Sequence, residues 1–132
     1  MVFVEDKICL DSDFLIDYLR NKEEAVKWIK ENINKNLATT TINIFELYYG
    51  EYKNGEETGI LKLGKFLDNL TILNINPEIA KKSGENAAIL EKQGKTLDFR
   101  DILIGTISTH YGYQLKTNNI KHFERIPDIK LI

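Results

Sequence analysis

Short apolar runs alternate along this chain with longer amphipathic stretches. Ile8-Cys9-Leu10 is an apolar triplet, and just after it Phe14, Leu15, Tyr18 and Leu19 recur at three- and four-residue steps. The first pattern predicts a buried strand over 7–10, the second a helix over 13–20. Residues 1–6 read as a tail, because Glu5-Asp6-Lys7 interrupts the apolar Val2-Phe3-Val4. Asn21-Lys22-Glu23-Glu24 looks like a cap with first-turn acids, opening a helix to about 34 with Val26, Ile29 and Ile33 on one face. A strand over 37–40, a helix over 42–52 capped by Thr41, and a polar turn over 53–58 follow. A helix over 60–69 leads into a β-branched strand over 71–75. Asn76-Pro77-Glu78 combines cap, first-position proline and first-turn acid, and starts a helix that runs to 93 and stops at Gly94. Its small residues Ala80, Gly84, Ala87 and Ala88 predict close packing against the sheet. The most apolar helix spans 99–111, and strands are expected over 114–117 and 129–132. Strands alternating with helices predict a parallel α/β sheet in a single domain over 1–132.

Composition narrows the classes. Hydrophobic residues make up 42% of 132 and charged residues 29%, which is ordinary globular composition. No apolar run is long enough to span a membrane and no secretory signal precedes the first strand. The single cysteine, Cys9, excludes an internal disulfide and a cysteine-rich metal site, and fits a core position in a cytoplasmic protein. A net charge of −2 does not by itself suggest a nucleic-acid partner, so a basic rim or a metal must supply phosphate affinity if there is one.

The informative polar residues are acids at predicted strand ends. Asp11 ends the first strand, and Glu46 lies one turn into the helix after the second. Asp98 and Asp101 open the apolar helix, and Asn119 follows the fourth strand. In an open parallel sheet all of these fall on the carboxyl edge, where ligands bind. Helix capping and dipole compensation account for Asp98 well, but poorly for Asp101 inside an apolar helix or Asp11 beside a buried strand. Two carboxylates about 4 Å apart repel by roughly 4 kcal/mol at an effective dielectric near 20, so a cluster calls for protons or a cation. Oxygen-only donors favour Mg²⁺ or Mn²⁺, and such an ion suits phosphodiester hydrolysis. His110 reads as a packed residue, His122 as a surface one, and they form no zinc pair.

The segments Leu10-Asp11-Ser12-Asp13, Asn43-Ile44-Phe45-Glu46, Asp101-Ile102-Leu103-Ile104-Gly105 and Lys116-Thr117-Asn118-Asn119 resemble, in order and spacing, PIN-domain nucleases. Among these they are most similar to the VapC toxins of prokaryotic toxin–antitoxin modules. The resemblance implies a three-layer α/β/α fold with a central, mainly parallel five-stranded sheet. It implies Mg²⁺- or Mn²⁺-dependent endoribonuclease activity leaving a 5′-phosphate, a homodimer, and a cognate antitoxin. Carried over by position, Asp11, Glu46 and Asp101 are the metal-holding acids. Asn119 stands where the family often has aspartate, and Asp98 is near enough in sequence to supply the missing carboxylate. Ser12 and Thr117 are candidate hydrogen-bond donors to water or phosphate, while Asp13 is expected to cap the first helix. Lys116, Lys121, Arg100 and Arg125 are candidates for a basic rim along the RNA. Core packing is the first expectation for Phe14, Tyr18, Trp28, Tyr48 and Tyr49. In the family, helices of the N-terminal half also form the antitoxin groove, and this second reading exposes some of them there.

Two other readings compete. A PIN-like chain that binds RNA or protein without cutting is one, and Asn119 keeps it open. An aspartate-nucleophile phosphatase of the haloacid-dehalogenase type is the other, but Phe14-Leu15 fits that pattern badly after Asp11-x-Asp13.

Overall fold

The structure, a computed structural model, describes residues 6–132; the predicted tail at Val2-Phe3-Val4 lies outside them. In chain order the elements are β1 (Lys7–Leu10), α1 (Ser12–Leu19), α2 (Glu23–Asn32), β2 (Asn36–Thr40), α3 (Thr41–Asn54) and α4 (Glu57–Leu67). They continue with β3 (Thr71–Leu73), α5 (Pro77–Lys92), α6 (Phe99–His110), β4 (Gln114–Lys116) and α7 (Ile120–Phe123).

The sheet is parallel throughout, in the order β3-β2-β1-β4, with Cys9 opposite Ala38 on one side and Leu115 on the other. Among the described residues it has four strands, not five. The segment expected as a fifth strand adds one parallel bridge, Leu115 to Leu131, flanked by Leu115 N–H to Lys130 O and Ile132 N–H to Leu115 O. Its approach is bent: Asp128 has a φ of 63°, which a continuing strand cannot accommodate.

Alternation along the strands divides the core into two. Ile8, Leu10 and Leu37 face a cluster with Phe14, Leu15, Ala25, Ile29, Leu47 and Leu63, contributed by α1 to α4. Cys9, Ala38 and Leu115 face the other way, onto Ile79, Ile104, Ile107 and Phe123 of α5, α6 and α7. That is the three-layer α/β/α arrangement expected of strands buried on both faces. Burial pushes the Cys9 thiol well above its ordinary range, so it is inert packing.

Helix starts are set locally. Thr40, rather than Thr41, caps α3, with reciprocal hydrogen bonds between Thr40 and Asn43; Gly55 at φ 73° closes the helix. α5 buries Ile79, Ser83, Asn86 and Leu90, so Ala80, Gly84 and Ala88, expected against the sheet, face outward. In the opposite layer Ile33 of the predicted apolar face is 70% exposed, since the helix has ended before it.

Gly105 in α6 marks a tight approach inside the core. A Cβ there would fall against Ile126 Cδ1, with Ile129 Cδ1 at 3.5 Å. Gly105→Ala is therefore expected to destabilise by about 1–3 kcal/mol, overpacking outweighing alanine's helix propensity. Denaturant unfolding with an unchanged slope would check it.

Candidate metal-dependent active site

β1, β2 and β4 end at the same edge, and that edge collects the polar residues. Asp11 follows Leu10 directly and is nearly buried, at 6% exposure. Its backbone N–H continues the β1–β4 pairing to Lys116 O at 2.9 Å, which fixes the carboxylate beside the end of β4. Thr117 Oγ1 donates to Asp11 Oδ2 at 2.7 Å and Asn43 Nδ2 to Asp11 Oδ1 at 3.0 Å. Asn43 Nδ2 also donates to Ser12 Oγ at 2.8 Å, and Ser12 Oγ–H donates to Glu46 Oε1 at 2.9 Å. Thus a capping residue of α3 orients two acids from different elements.

The rest of the arc comes from α6 and the β4–α7 turn. Glu46 Oε2 lies 3.8 Å from Arg100 Nη1, and Arg100 holds Asp98 through Nε at 3.1 Å and Nη2 at 3.2 Å. Asp101 Oδ2 lies 3.8 Å from His122 Nδ1, which is 2.7 Å from Asn119 Nδ2. Asn119 N–H donates to Thr117 Oγ1 at 3.0 Å, so the turn is tied back to Asp11. Asp11, Glu46, Asp101 and Asn119 thus belong to one network of contacts, linked by Ser12, Asn43, Thr117 and His122.

The electrostatics mark the acids as under-compensated. Burial, reinforced by Asp13, pushes Asp11 up to about 7 despite hydrogen bonds from Thr117 and Asn43. Burial also raises Glu46 and Asp101, and Asp98 adds repulsion to both; Arg100 pulls each partly back. Asp98 itself is exposed and is drawn below the usual carboxylate range by its hydrogen bonds from Arg100.

Among the described residues no group of three or more His, Cys, Asp or Glu is arranged to hold a metal ion. The reason is visible: Glu46 leans on Ser12 and Arg100, and Asp101 on His122. The donor chemistry does fit a hard divalent cation. Asp11, Glu46 and Asp101 offer only oxygen, and all three have raised proton affinities that a cation would relieve.

Other sequence expectations are modified. Asp13 does not cap α1, whose N-cap is Asp11 without a side-chain cap bond; it accepts from Phe14 N–H at 2.6 Å and Asn118 N–H at 3.1 Å. Lys116 turns its ammonium over the Phe14 and Trp28 rings, 5.5 Å from each centroid, away from a phosphate-contact role. Lys121 and Arg125 are exposed. His110, expected to pack, is exposed against the Tyr111 ring; His122 is on the surface as expected and from there also contacts the arc. Asn43 was not singled out in the sequence as a site residue. Its signal was an amide at a fully buried helical position three residues after a strand-terminal threonine.

A family model described as PIN domain matches residues 8–129. The chain belongs to the PIN domain family. It is 34% identical over 122 residues to "Ribonuclease VapC2" of Haemophilus influenzae, covering 91% of this chain and 92% of that one. It is 30% identical over 129 residues to the "tRNA(fMet)-specific endonuclease VapC" of Salmonella typhimurium, covering 95% and 96%. In three dimensions this PIN domain superposes on the VapBC2 structure from Rickettsia felis bound to a promoter DNA fragment. The TM-score is 0.86 at 27% identity, over 95% of this chain and 96% of that one. Among its described residues this PIN domain has no helix long and apolar enough to cross a membrane.

Proposed function

We propose that this chain is a ribonuclease toxin of the VapC kind, a metal-dependent endoribonuclease paired with a cognate antitoxin. The observation that carries the reading is the arc of Asp11, Glu46 and Asp101, three acids from three elements, each raised by burial at one sheet edge. The relatives named as ribonucleases over nine-tenths of the chain support it.

Asp11, Glu46 and Asp101 would hold Mg²⁺ or Mn²⁺, with Asn119 as a neutral oxygen donor. Such an ion supplies an activated water and neutralises the charge developing on the phosphoryl oxygens. The chain's own part is positioning. Thr117 and Asn43 fix the Asp11 carboxylate, and Ser12 fixes Glu46, so the acids keep their aim when the strand between phosphates enters. Asn119 Nδ2, with one N–H toward His122, has a second that can donate to a phosphate or its water. The resemblance to PIN-domain nucleases implies a 5′-phosphate end as the product.

An antitoxin segment fits the apolar groove lined by Tyr18, Ile29, Ile33, Phe66 and Leu70, on the layer opposite α5 and α6. A homodimer is part of the same proposal. The non-cutting RNA-binding reading draws only on Asn119, and an amide oxygen remains a competent ligand.

Calorimetric titration with Mn²⁺ tests the reading without knowledge of the RNA. The folded chain is expected to bind, and Asp101→Asn to lose that binding. Initiator tRNA, the target in the Salmonella relative's name, is the first RNA to offer for Mn²⁺-dependent cleavage. No binding by the folded wild type would make the acids structural and the chain a binder.

A further inference from the structure

This inference rests on the metal-dependent reading above and concerns the cation already present beside it. Arg100 precedes Asp101 in the first turn of α6, and its guanidinium forks. Nε and Nη2 engage both oxygens of Asp98, at 3.1 and 3.2 Å, and Nη1 faces Glu46 Oε2 at 3.8 Å. The planar two-point match to Asp98 sets the plane of the guanidinium, and that plane sends the third nitrogen toward Glu46.

We propose that Arg100 is a built-in counter-ion of Glu46 that competes with the divalent cation, and that Asp98 is the positioning residue holding it there rather than a ligand. Three observations converge. Both Asp98 oxygens are engaged by Arg100, and the same carboxylate also accepts Arg100 N–H at 2.8 Å, so it is committed to the helix start. Glu46 is the acid that the guanidinium faces, and an arginine stays charged at every working pH, so no deprotonation of Arg100 removes this competitor. Asp11 has no such cation: its partners are the neutral Thr117 and Asn43. The metal-free arc is thereby partly neutralised at Glu46, and at Asp101 by His122 and Arg100, but not at Asp11, and ion binding includes the displacement of Arg100 from Glu46.

The pair is solvent-exposed, with Arg100 at 57%, so screening limits the effect to a several-fold to about tenfold change in affinity. Mn²⁺ titration calorimetry on the whole chain reads it directly, with thermal midpoints confirming that each variant folds. Arg100→Gln is expected to bind Mn²⁺ several-fold to about tenfold more tightly than wild type. Arg100→Lys keeps the charge without the fork and is expected to fall between the two. Asp98→Asn added to Arg100→Gln should leave the affinity within about twofold, because its partner is already gone.

If wild type binds and Arg100→Gln binds equally or more weakly, or Arg100→Lys tightens as much as Arg100→Gln, the counter-ion role is overturned. Loss of binding on adding Asp98→Asn would make Asp98 a ligand and overturn its positioning role. Failure of the folded wild type to bind at all would instead overturn the metal-dependent reading itself.

Discussion

Asp11→Asn is expected to abolish RNA hydrolysis and, in the same protein, to raise the thermal midpoint at pH 7 without divalent metal. The activity loss should exceed about a hundredfold, since even outer partners of metal ligands are worth about 10–100-fold. The stability gain follows from burial. The Asp11 carboxyl stands at about 7 when folded, against an ordinary value near 3.8, with burial and then Asp13 as causes. Between those two values the folded state carries more bound proton than the unfolded state, so stability is highest below about pH 4 and falls as pH rises toward 7. Ionising a carboxyl so placed weakens the fold by on the order of 4 kcal/mol at neutral pH. Asparagine never ionises. It keeps an acceptor for one of the two donors, Asn43 Nδ2 and Thr117 Oγ1, and the Thr117 hydroxyl can turn to accept from the new amide. A net gain of a few kcal/mol would raise the midpoint by more than about 5 °C. Thermal scans at pH 4.5 and 7.5 read both halves: the wild type should lose stability between them, and the variant should lose less, keeping only the part that Glu46 and Asp101 contribute. Saturating Mn²⁺ should stabilise the wild type alone. A variant no more stable than wild type at pH 7.5 would mean that the buried carboxylate carries no such strain.

Asn43→Ala should be the most damaging single change outside the acids. The side chain is fully buried and makes contacts in two directions. Its Oδ1 accepts from Thr40 N–H and Thr40 Oγ1, closing the cap of α3, and its Nδ2 donates to Asp11 and Ser12. Alanine leaves the Thr40 amide and the Asp11 carboxylate short of partners in a dry place, for a loss of about 2–4 kcal/mol. It also frees Ser12 from one side, so Glu46 loses its indirect link to Asp11. Cleavage should fall by about 10–100-fold even where the protein remains folded. Denaturant unfolding and cleavage under identical Mn²⁺ separate the two effects. Asn43→Asp tests the donor: it keeps the cap acceptor but faces Asp11 with a second carboxylate, and should cost at least as much activity.

The layered architecture was legible from β1, whose Ile8-Cys9-Leu10 is buried on both faces and reads as an unbroken apolar run. It was legible too from the regular alternation of short extended stretches with helical periods, although β2 and β4 carry polar residues. The acids were legible for a related reason: Asp11 abuts the Ile8-Cys9-Leu10 run, and Asp101 interrupts the helix over 99–111. Less legible were features set by pairing geometry rather than by residue type. Residues 129–132 look like a strand, yet the turn at Asp128 lets them make a single bridge. In α5 the buried stripe is Ile79, Ser83, Asn86 and Leu90, and its two polar members hide the period, so the small residues beside it drew the packing assignment. The second tier of the site was hidden for the same reason. Asn43 and His122 act through contacts with Asp11, Ser12 and Asp101, residues 21 to 32 positions away in the chain, and nothing local in the sequence points across such a gap.

The hydrogen bond from Thr117 to Asp11 spans 106 positions, and β1 takes β4 as its second neighbour only when that part of the chain exists. During synthesis, therefore, a ribosome carries this chain through most of its length with Asp11, Glu46 and Asp101 already made but with β4 and its threonine missing. The arc closes last. An edge that β4 completes cannot form in a nascent chain that has not yet reached residue 117.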